Sequence, residues 1–163
     1  MYQIIHDALV TDLSTERTSA LGTKGWFDEA SSSYQKQLLD HAKKYYSLSN
    51  MVGFEEWCHI GGTTYQPPIH QDKDERVFAK TGRTITPLCS CIYYHRVKDL
   101  KGGRLFIYGS NRTKDVKYII TPTSNTLVLL DPGVWHGVEN YISGTRTTLV
   151  LNPWDYKVAK NNS

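Results

Sequence analysis

The chain has 163 residues, of which 39% are hydrophobic and 21% charged, and this is the composition of an ordinary globular protein. A chain of this length can form one domain with a full core, without disulfides or a structural metal. Nineteen basic residues stand against sixteen acidic ones, for a net charge of +3. Nucleic-acid binding usually needs a much stronger positive surface, so we expect no nucleic-acid partner.

The cysteines and the hydropathy pattern indicate in which cellular compartment the protein is expected. Cys58, Cys89 and Cys91 are an odd number with no zinc or redox spacing, so we expect no disulfide framework. No apolar run approaches the roughly 18 residues of a membrane span, and the first residues lack the pattern of a secretory signal. We therefore expect a cytoplasmic protein without a membrane partner. The sequence does not indicate an oligomeric state.

The first fifty residues have a helical pattern. Between Trp26 and Ser47, apolar or aromatic residues recur at intervals of three to four, which predicts a helix. Ser31, Ser32 or Ser33 can cap its main segment. We therefore expect residues 1–50 to form a helical support.

From Met51 onward the pattern changes to short β-rich runs separated by turn-forming residues. Eight short antiparallel strands that each bury one face favour a double sheet or a closed barrel. We predict a mainly β (α+β) jelly roll with helices outside it, in a single domain with its core at 51–155 and a tail at 156–163. The predicted strands lie within residues 55–60, 65–72, 86–97, 104–109, 116–122, 125–131, 135–142 and 145–152.

A charged segment, residues 73–86, separates two of these strands and contains Gly82. Loops of this length within a compact domain are often functional lids, so this segment is a candidate substrate loop. Arg76 and Arg83 within it are candidates for contact with an acidic substrate or a peptide backbone. Solvated surface charge is the alternative interpretation.

A candidate metal site begins at His70-Gln71-Asp72. Side chains alternate along a strand, so His70 and Asp72 are expected on the same side, and His136 offers a third ligand. Two histidines and one carboxylate on one face of an octahedron leave open positions and suit non-haem Fe(II) in oxygenases. The short motif alone is weak evidence, since many histidines are only hydrogen-bonded.

Arg146 stands at the head of an apolar strand, ten residues after His136. A guanidinium buried there would need an anionic partner, and a co-substrate carboxylate held by its fork would satisfy it. Thr148, two residues on, is expected on the same strand face. The alternatives are a solvated edge residue or an ion pair with an internal acid.

These features together resemble a known enzyme family over roughly residues 51–155. The segments that carry the resemblance are HQD at 70–72, CIYY at 91–94, GGRLFIY at 102–108, NTLVLLDP at 125–132, WHGV at 135–138 and SGTRTTLVL at 143–151. Their order and spacing are similar to those of the Fe(II)/2-oxoglutarate-dependent dioxygenases, in particular the prolyl 4-hydroxylase-like branch.

The resemblance implies a double-stranded β-helix that holds Fe(II) on His70, Asp72 and His136. It also implies 2-oxoglutarate and O2 as co-substrates, with ascorbate as a candidate reductant. The far carboxylate of 2-oxoglutarate would then be held by Arg146, with hydroxyl support from Tyr94 and Thr148.

Two positions depart from the patterns of this branch. Arg146 replaces the lysine that is usual in collagen-type prolyl hydroxylases, which favours the hypoxia-sensing-like or the bacterial and viral members. His59 and Ile60 occupy a region where a tyrosine is common. His59 is a candidate replacement contact, and Tyr65 is a further candidate at the co-substrate or substrate side.

The resemblance implies hydroxylation of an unactivated C–H bond, with a prolyl residue of a peptide or protein as the leading substrate. Trp135 is a candidate wall of the substrate side, and core packing is its alternative role. A dioxygenase acting on a free amino acid or small metabolite is an alternative function. A non-catalytic, cupin-like binding module is the alternative from another class.

Overall fold

The computed structural model describes residues 2–10, 25–61 and 67–158, which form two antiparallel sheets and two helices. The strands are β1 (Tyr2–His6), β2 (Gly25–Phe27), β3 (Gly53–Gly61), β4 (Ser90–Gly102), β5 (Leu105–Tyr108), β6 (Val116–Ile120), β7 (Thr126–Leu130), β8 (Trp135–Val138) and β9 (Tyr141–Trp154). The helices are α1 (Ser33–Lys43) and α2 (Glu75–Thr81). In these residues, neither helix is long and apolar enough to cross a membrane.

The strand order is that of a double-stranded β-helix. The major sheet has the order β1-β7-β4-β9-β3-β2, and the minor sheet has the order β6-β5-β8. Reciprocal backbone hydrogen bonds of 2.9 Å join His70 to His136, so the chain around His70 extends the minor sheet beyond β8. From β3 onward the chain crosses repeatedly between the two sheets. This architecture confirms the predicted mainly β jelly roll.

The major sheet is covered on both faces, and this explains why β7 reads as a continuous apolar run. Leu127 and Leu129 pack into a core that includes Leu38 of α1. Val128 and Leu130 point to the opposite face, where residues of the minor sheet pack. Every residue of β7 is buried because alternate side chains enter two different cores.

The N-terminal region differs from the predicted helical support. Residues 2–6 form β1, which pairs with β7, and residues 25–27 form β2, which pairs with β3. Both are edge strands of the major sheet, and the hydrogen bonds that hold them come from neighbours distant in sequence. The helix predicted from Trp26 to Ser47 is therefore confined to α1.

Helix α1 begins after an N-cap at Ser32. Ser32 and Gln35 form a reciprocal capping box, in which the Ser32 hydroxyl accepts from the Gln35 backbone amide. Ser32 is one of the three predicted caps. Tyr34 and Gln35 also donate 2.9 Å hydrogen bonds to the fully buried carboxylate of Glu56, so the first turn of α1 is joined to β3.

Two predicted segments around the candidate metal site form different structure. Residues 65 and 66 of the strand predicted over 65–72 lie outside the described residues, and in 67–72 only His70 forms a β-bridge. Pro67 and Pro68 have no backbone N–H to donate to a ladder. The segment predicted as a loop at 73–86 contains α2, which is capped by the Asp74 carboxylate and ends at Gly82 with a φ of 70°.

The predicted tail is partly tied to the domain. The Tyr156 hydroxyl donates a 2.7 Å hydrogen bond to Asp74. Lys157 forms an ion pair with Asp28. Residues 159–163 lie outside the described residues.

Candidate metal centre and adjoining cavity

A cavity of about 460 Å³ lies between the two sheets, lined by residues of β3, β4, β5, β8 and β9 and of the segment around His70. Its lining contains the three candidate metal ligands and also Arg146. The two groups of residues that the sequence singled out separately therefore share one space. Apolar side chains form much of the remaining wall: Trp57, Ile60, Pro67, Pro68, Ile92, Leu105, Val138 and Val150.

The candidate metal centre consists of His70, Asp72 and His136. One ligand atom from each residue lies within 4.8 Å of the others. Oδ1 of Asp72 is 3.5 Å from Nε2 of His70 and 3.9 Å from Nε2 of His136. The two nitrogens and one carboxylate oxygen thus converge on one point, as a metal site requires.

Backbone carbonyl groups fix which imidazole nitrogen faces this point. Nδ1 of His70 donates to the Pro68 carbonyl oxygen at 2.7 Å, and Nδ1 of His136 donates to the Val134 carbonyl oxygen at 2.9 Å. A carbonyl oxygen only accepts, so in both neutral rings the proton is on Nδ1 and the Nε2 lone pair is free. Such partners are typical of metal-binding histidines.

Ser90 orients the carboxylate. Its hydroxyl donates a 2.6 Å hydrogen bond to Oδ2 of Asp72, which leaves Oδ1 directed towards the histidines. Ser90 lies on β4, and its side chain points to the same face as Ile92 and Tyr94, because side chains alternate along a strand. Ser90 was not among the predicted site residues, because its contact with Asp72 joins two segments that are distant in sequence.

The surroundings of the centre lower the pKa of Asp72 and shift the pKa values of the two histidines in opposite directions. Burial opposes ionisation of Asp72. At the acid pH where this carboxyl group titrates the histidines are protonated, and the charge of His136 and the hydrogen bonds from His70 and Ser90 outweigh burial and lower the pKa of Asp72. Burial lowers the pKa of His136. For His70, the hydrogen bond and charge of Asp72 outweigh burial and raise the pKa.

The ligand set fits Fe(II). Two imidazoles and one carboxylate suit non-haem iron that keeps positions open for other ligands. The side chains of Asp72 and His136 are only 10% and 7% exposed, whereas that of His70 is 33% exposed. A metal held here would therefore be reached from the His70 side of the cavity.

Arg146 occupies another part of the cavity wall and is almost completely buried, with 6% exposure. Its Nη1 donates a 2.8 Å hydrogen bond to the carbonyl oxygen of Gly103. Its Cζ lies 5.4 Å from the ring centroids of both Tyr94 and Tyr141. Among the described residues no carboxylate lies within 4.0 Å of this guanidinium, so the internal ion pair considered from the sequence is not formed there.

Three polar atoms in this part of the cavity wall are buried and have no hydrogen-bond partner in the described part of the chain. They are Nε of Arg146, Oγ1 of Thr148 and the hydroxyl of Tyr141. Leaving such groups unsatisfied costs about 1–3 kcal/mol each. All three can donate, so a carboxylate of a bound molecule fits the donor set, and these residues can accommodate one end of 2-oxoglutarate.

The tyrosines beside Arg146 remain neutral donors. Burial raises the pKa of Tyr94 to about 12, although the charge of Arg146 opposes this shift. The same two effects act on Tyr141, whose pKa is also raised. His59 lines the same cavity, and its partial burial together with the charge of Arg146 lowers its pKa.

The structure thus brings together six of the predicted site residues: His70, Asp72, His136, Tyr94, Arg146 and Thr148. It does not place Trp135, Arg76 or Arg83 in the cavity wall. Trp135 pairs with Tyr108 on the minor sheet, and both arginines are exposed, on or just after α2. Tyr65 lies outside the described residues.

Two further residues with a hydroxyl or carboxylate group, Tyr141 and Glu75, line the cavity and were not predicted as site residues. Tyr141 is the first residue of β9 and lies opposite Gly102 of β4. The sequence predicted Tyr141 and Arg146 on two separate strands, 135–142 and 145–152, but both lie on the continuous strand β9. Register shifts against β4 break simple side-chain alternation between them. Glu75 lines the cavity at the first residue of α2, within the segment predicted as a loop.

No protein-family model and no curated protein matches the sequence. Among solved structures, the chain is similar to an oxidoreductase of the 2OG-Fe(II) oxygenase family from Burkholderia pseudomallei, with 15% sequence identity and a TM-score of 0.46. The match covers 67% of this chain and 46% of that chain, so this chain corresponds to less than half of that protein's length. A likeness at this level carries no functional conclusion.

Proposed function

We propose that this protein is an Fe(II)- and 2-oxoglutarate-dependent dioxygenase that hydroxylates an unactivated C–H bond and forms succinate and CO2. The observation that supports it is the presence, in one cavity, of a two-histidine, one-carboxylate cluster and a buried arginine without an acidic partner among the described residues. Neither feature alone is specific. Together they provide for a metal and for the free end of an acidic co-substrate.

In this proposal His70, Asp72 and His136 hold Fe(II), and Arg146 with Thr148 and Tyr94 binds the far carboxylate of 2-oxoglutarate. When bound, iron and 2-oxoglutarate supply the oxidising chemistry with O2, and ascorbate is a candidate for restoring the reduced metal.

The chain itself positions and shields these groups. Ser90 and the two backbone carbonyls hold the ligand atoms in their orientation, and the apolar wall excludes water from the reacting centre.

For the substrate we propose a prolyl residue of a peptide or protein. This part rests on the sequence resemblance in CIYY, GGRL and SGTR. The structure adds that Glu75, at the start of α2, lines the cavity, while Arg76 and Arg83 are exposed and do not line it. We propose that these arginines contact the acidic or carbonyl groups of a peptide. Trp135 does not line the cavity, and we assign it no substrate contact.

Binding and turnover of the co-substrates test the class of enzyme. Anaerobic addition of Fe(II) and 2-oxoglutarate should give a visible charge-transfer band, and succinate should form in air. Asp72→Asn should abolish the band. Arg146→Ala should weaken 2-oxoglutarate binding by roughly 100-fold, since it removes charge-assisted hydrogen bonds, while Fe(II) still binds. Folded protein that binds metal and acid but forms no succinate would favour the cupin-like binding module.

Candidate substrates test the finer proposal. Proline-rich peptides and free proline are incubated with the iron-loaded enzyme, and products are analysed by mass spectrometry for the gain of one oxygen. Oxygenation of a peptide prolyl residue supports the proposal. Oxygenation of free proline or another small molecule alone would favour the metabolite-modifying alternative.

A further inference from the structure

Tyr141 has a fixed position against Arg146. A Cβ atom added at Gly103 would lie only 2.9 Å from Cε1 of Tyr141, so the ring rests directly on this glycine, whose φ is +66°. The carbonyl oxygen of Gly103 in turn accepts the hydrogen bond from Arg146. Ring, turn and guanidinium therefore contact one another, and Tyr94 flanks the guanidinium as well.

The hydroxyl of Tyr141 makes no hydrogen bond within the described structure. It is buried, and none of the described residues accepts from it or donates to it. Buried tyrosine hydroxyl groups normally have a partner, because loss of hydration is costly. Thr148 Oγ1 and Arg146 Nε, in the wall of the same cavity, share this condition. One acceptor with several lone pairs would serve all three, and a carboxylate has about four acceptor positions.

We propose that Tyr141 is a specificity-determining residue of the co-substrate site, whose hydroxyl donates to the far carboxylate of 2-oxoglutarate. This inference rests on the proposed function. A 2-oxo acid without that carboxylate leaves the hydroxyl unpaired in a buried place, and sites of this kind reject the analogue that lacks the polar group. Tyr141 thus helps the site to select a dicarboxylate over a monocarboxylate.

The test compares two ligands that differ only at the far end. Binding of 2-oxoglutarate and of 2-oxopentanoate is measured by isothermal titration on Mn(II)-loaded protein, wild type and Tyr141→Phe. The phenylalanine keeps the ring that packs on Gly103. We expect 2-oxoglutarate to bind about 10- to 100-fold more weakly to the variant, the range for one hydrogen bond to a charged group. Binding of 2-oxopentanoate should change less than about threefold.

Tyr118→Phe is the matched control, because Tyr118 is half-exposed on β6 and does not line the cavity. It should leave both ligands unchanged. Equal weakening of both ligands by Tyr141→Phe would indicate a structural role and overturn the proposal, as would an unchanged preference. If wild-type protein binds Mn(II) but not 2-oxoglutarate, the proposed function fails as well, so the two failures are distinguishable.

Discussion

Replacement of Arg146 by methionine tests whether this residue serves ligand binding or the stability of the fold. Burying a guanidinium costs several kcal/mol. Its hydrogen bond to Gly103 returns about 1.5–3 kcal/mol, and the two tyrosine rings about 0.5–2 kcal/mol each. These contributions nearly cancel, and methionine fills a similar volume without a charge. We therefore expect the ligand-free variant to keep its stability or gain up to about 2 kcal/mol.

The assay is thermal unfolding of the ligand-free protein, and of the Mn(II)-loaded protein with and without 2-oxoglutarate. The gain corresponds to a Tm rise of up to roughly 4–8 °C. Added to the Mn(II)-loaded protein at one hundred times its wild-type Kd, 2-oxoglutarate should stabilise wild type by about 2.7 kcal/mol, or roughly 5–11 °C. The methionine variant, which binds it roughly 100-fold more weakly, should gain only about 0.4 kcal/mol.

The exposed Arg96→Met on β4 is the control, and both its stability and its ligand response should match wild type. If the ligand-free Arg146→Met variant is destabilised by more than about 3 kcal/mol, contacts within the protein already stabilise the buried guanidinium. That result would refute this reasoning.

Three further predictions address the surroundings of the site. Ser90→Ala should weaken Mn(II) binding about 10- to 100-fold in equilibrium dialysis, because the carboxylate of the candidate ligand Asp72 loses its orienting hydrogen bond. Unchanged affinity would contradict that role of Ser90. The pKa of His59, lowered by burial and by the nearby guanidinium, should rise when Zn(II) and 2-oxoglutarate bind, as read from NMR titration; a carboxylate that stays away from the guanidinium would leave it unmoved. Tyr34→Phe removes a hydrogen bond to the buried Glu56, so it should lower the free energy of unfolding in urea by about 1–3 kcal/mol. Tyr45 is exposed, and the control Tyr45→Phe should change this free energy by less than about 0.5 kcal/mol.

The core strands were predictable because their signals are local. The apolar runs that became β4, β7 and β9 are bounded by turn residues, and the sheet buries both of their faces. β1 and β2 lacked such signals. Each is an edge strand held by pairing with a single neighbour, β7 or β3, and a local pattern cannot show a partner more than twenty residues away.

The three candidate metal ligands lie together in space, but the reason given for it from the sequence was incomplete. Strand alternation was expected to bring His70 and Asp72 together, yet regular pairing stops at His70. The chain beyond it is irregular, and the hydrogen bond from Ser90 on β4 holds Asp72 in place. A contact of this kind depends on the tertiary structure, which the spacing of the motif does not contain.

Strand β9 shows how the fold can hold a buried charge without disturbing its main core. Its side chains alternate, so Arg146 and Thr148 face the cavity while Leu149 and Leu151 enter the core beneath α1. A slip of one residue would exchange the two sets. Nine consecutive pairs with β3 oppose such a slip. The three register shifts against β4 begin between Tyr94 and Arg96, beyond the pairs that anchor the core. Register is therefore fixed by the apolar half of the strand. The cavity half is free to carry residues selected for a ligand, so changes there should alter binding more than folding.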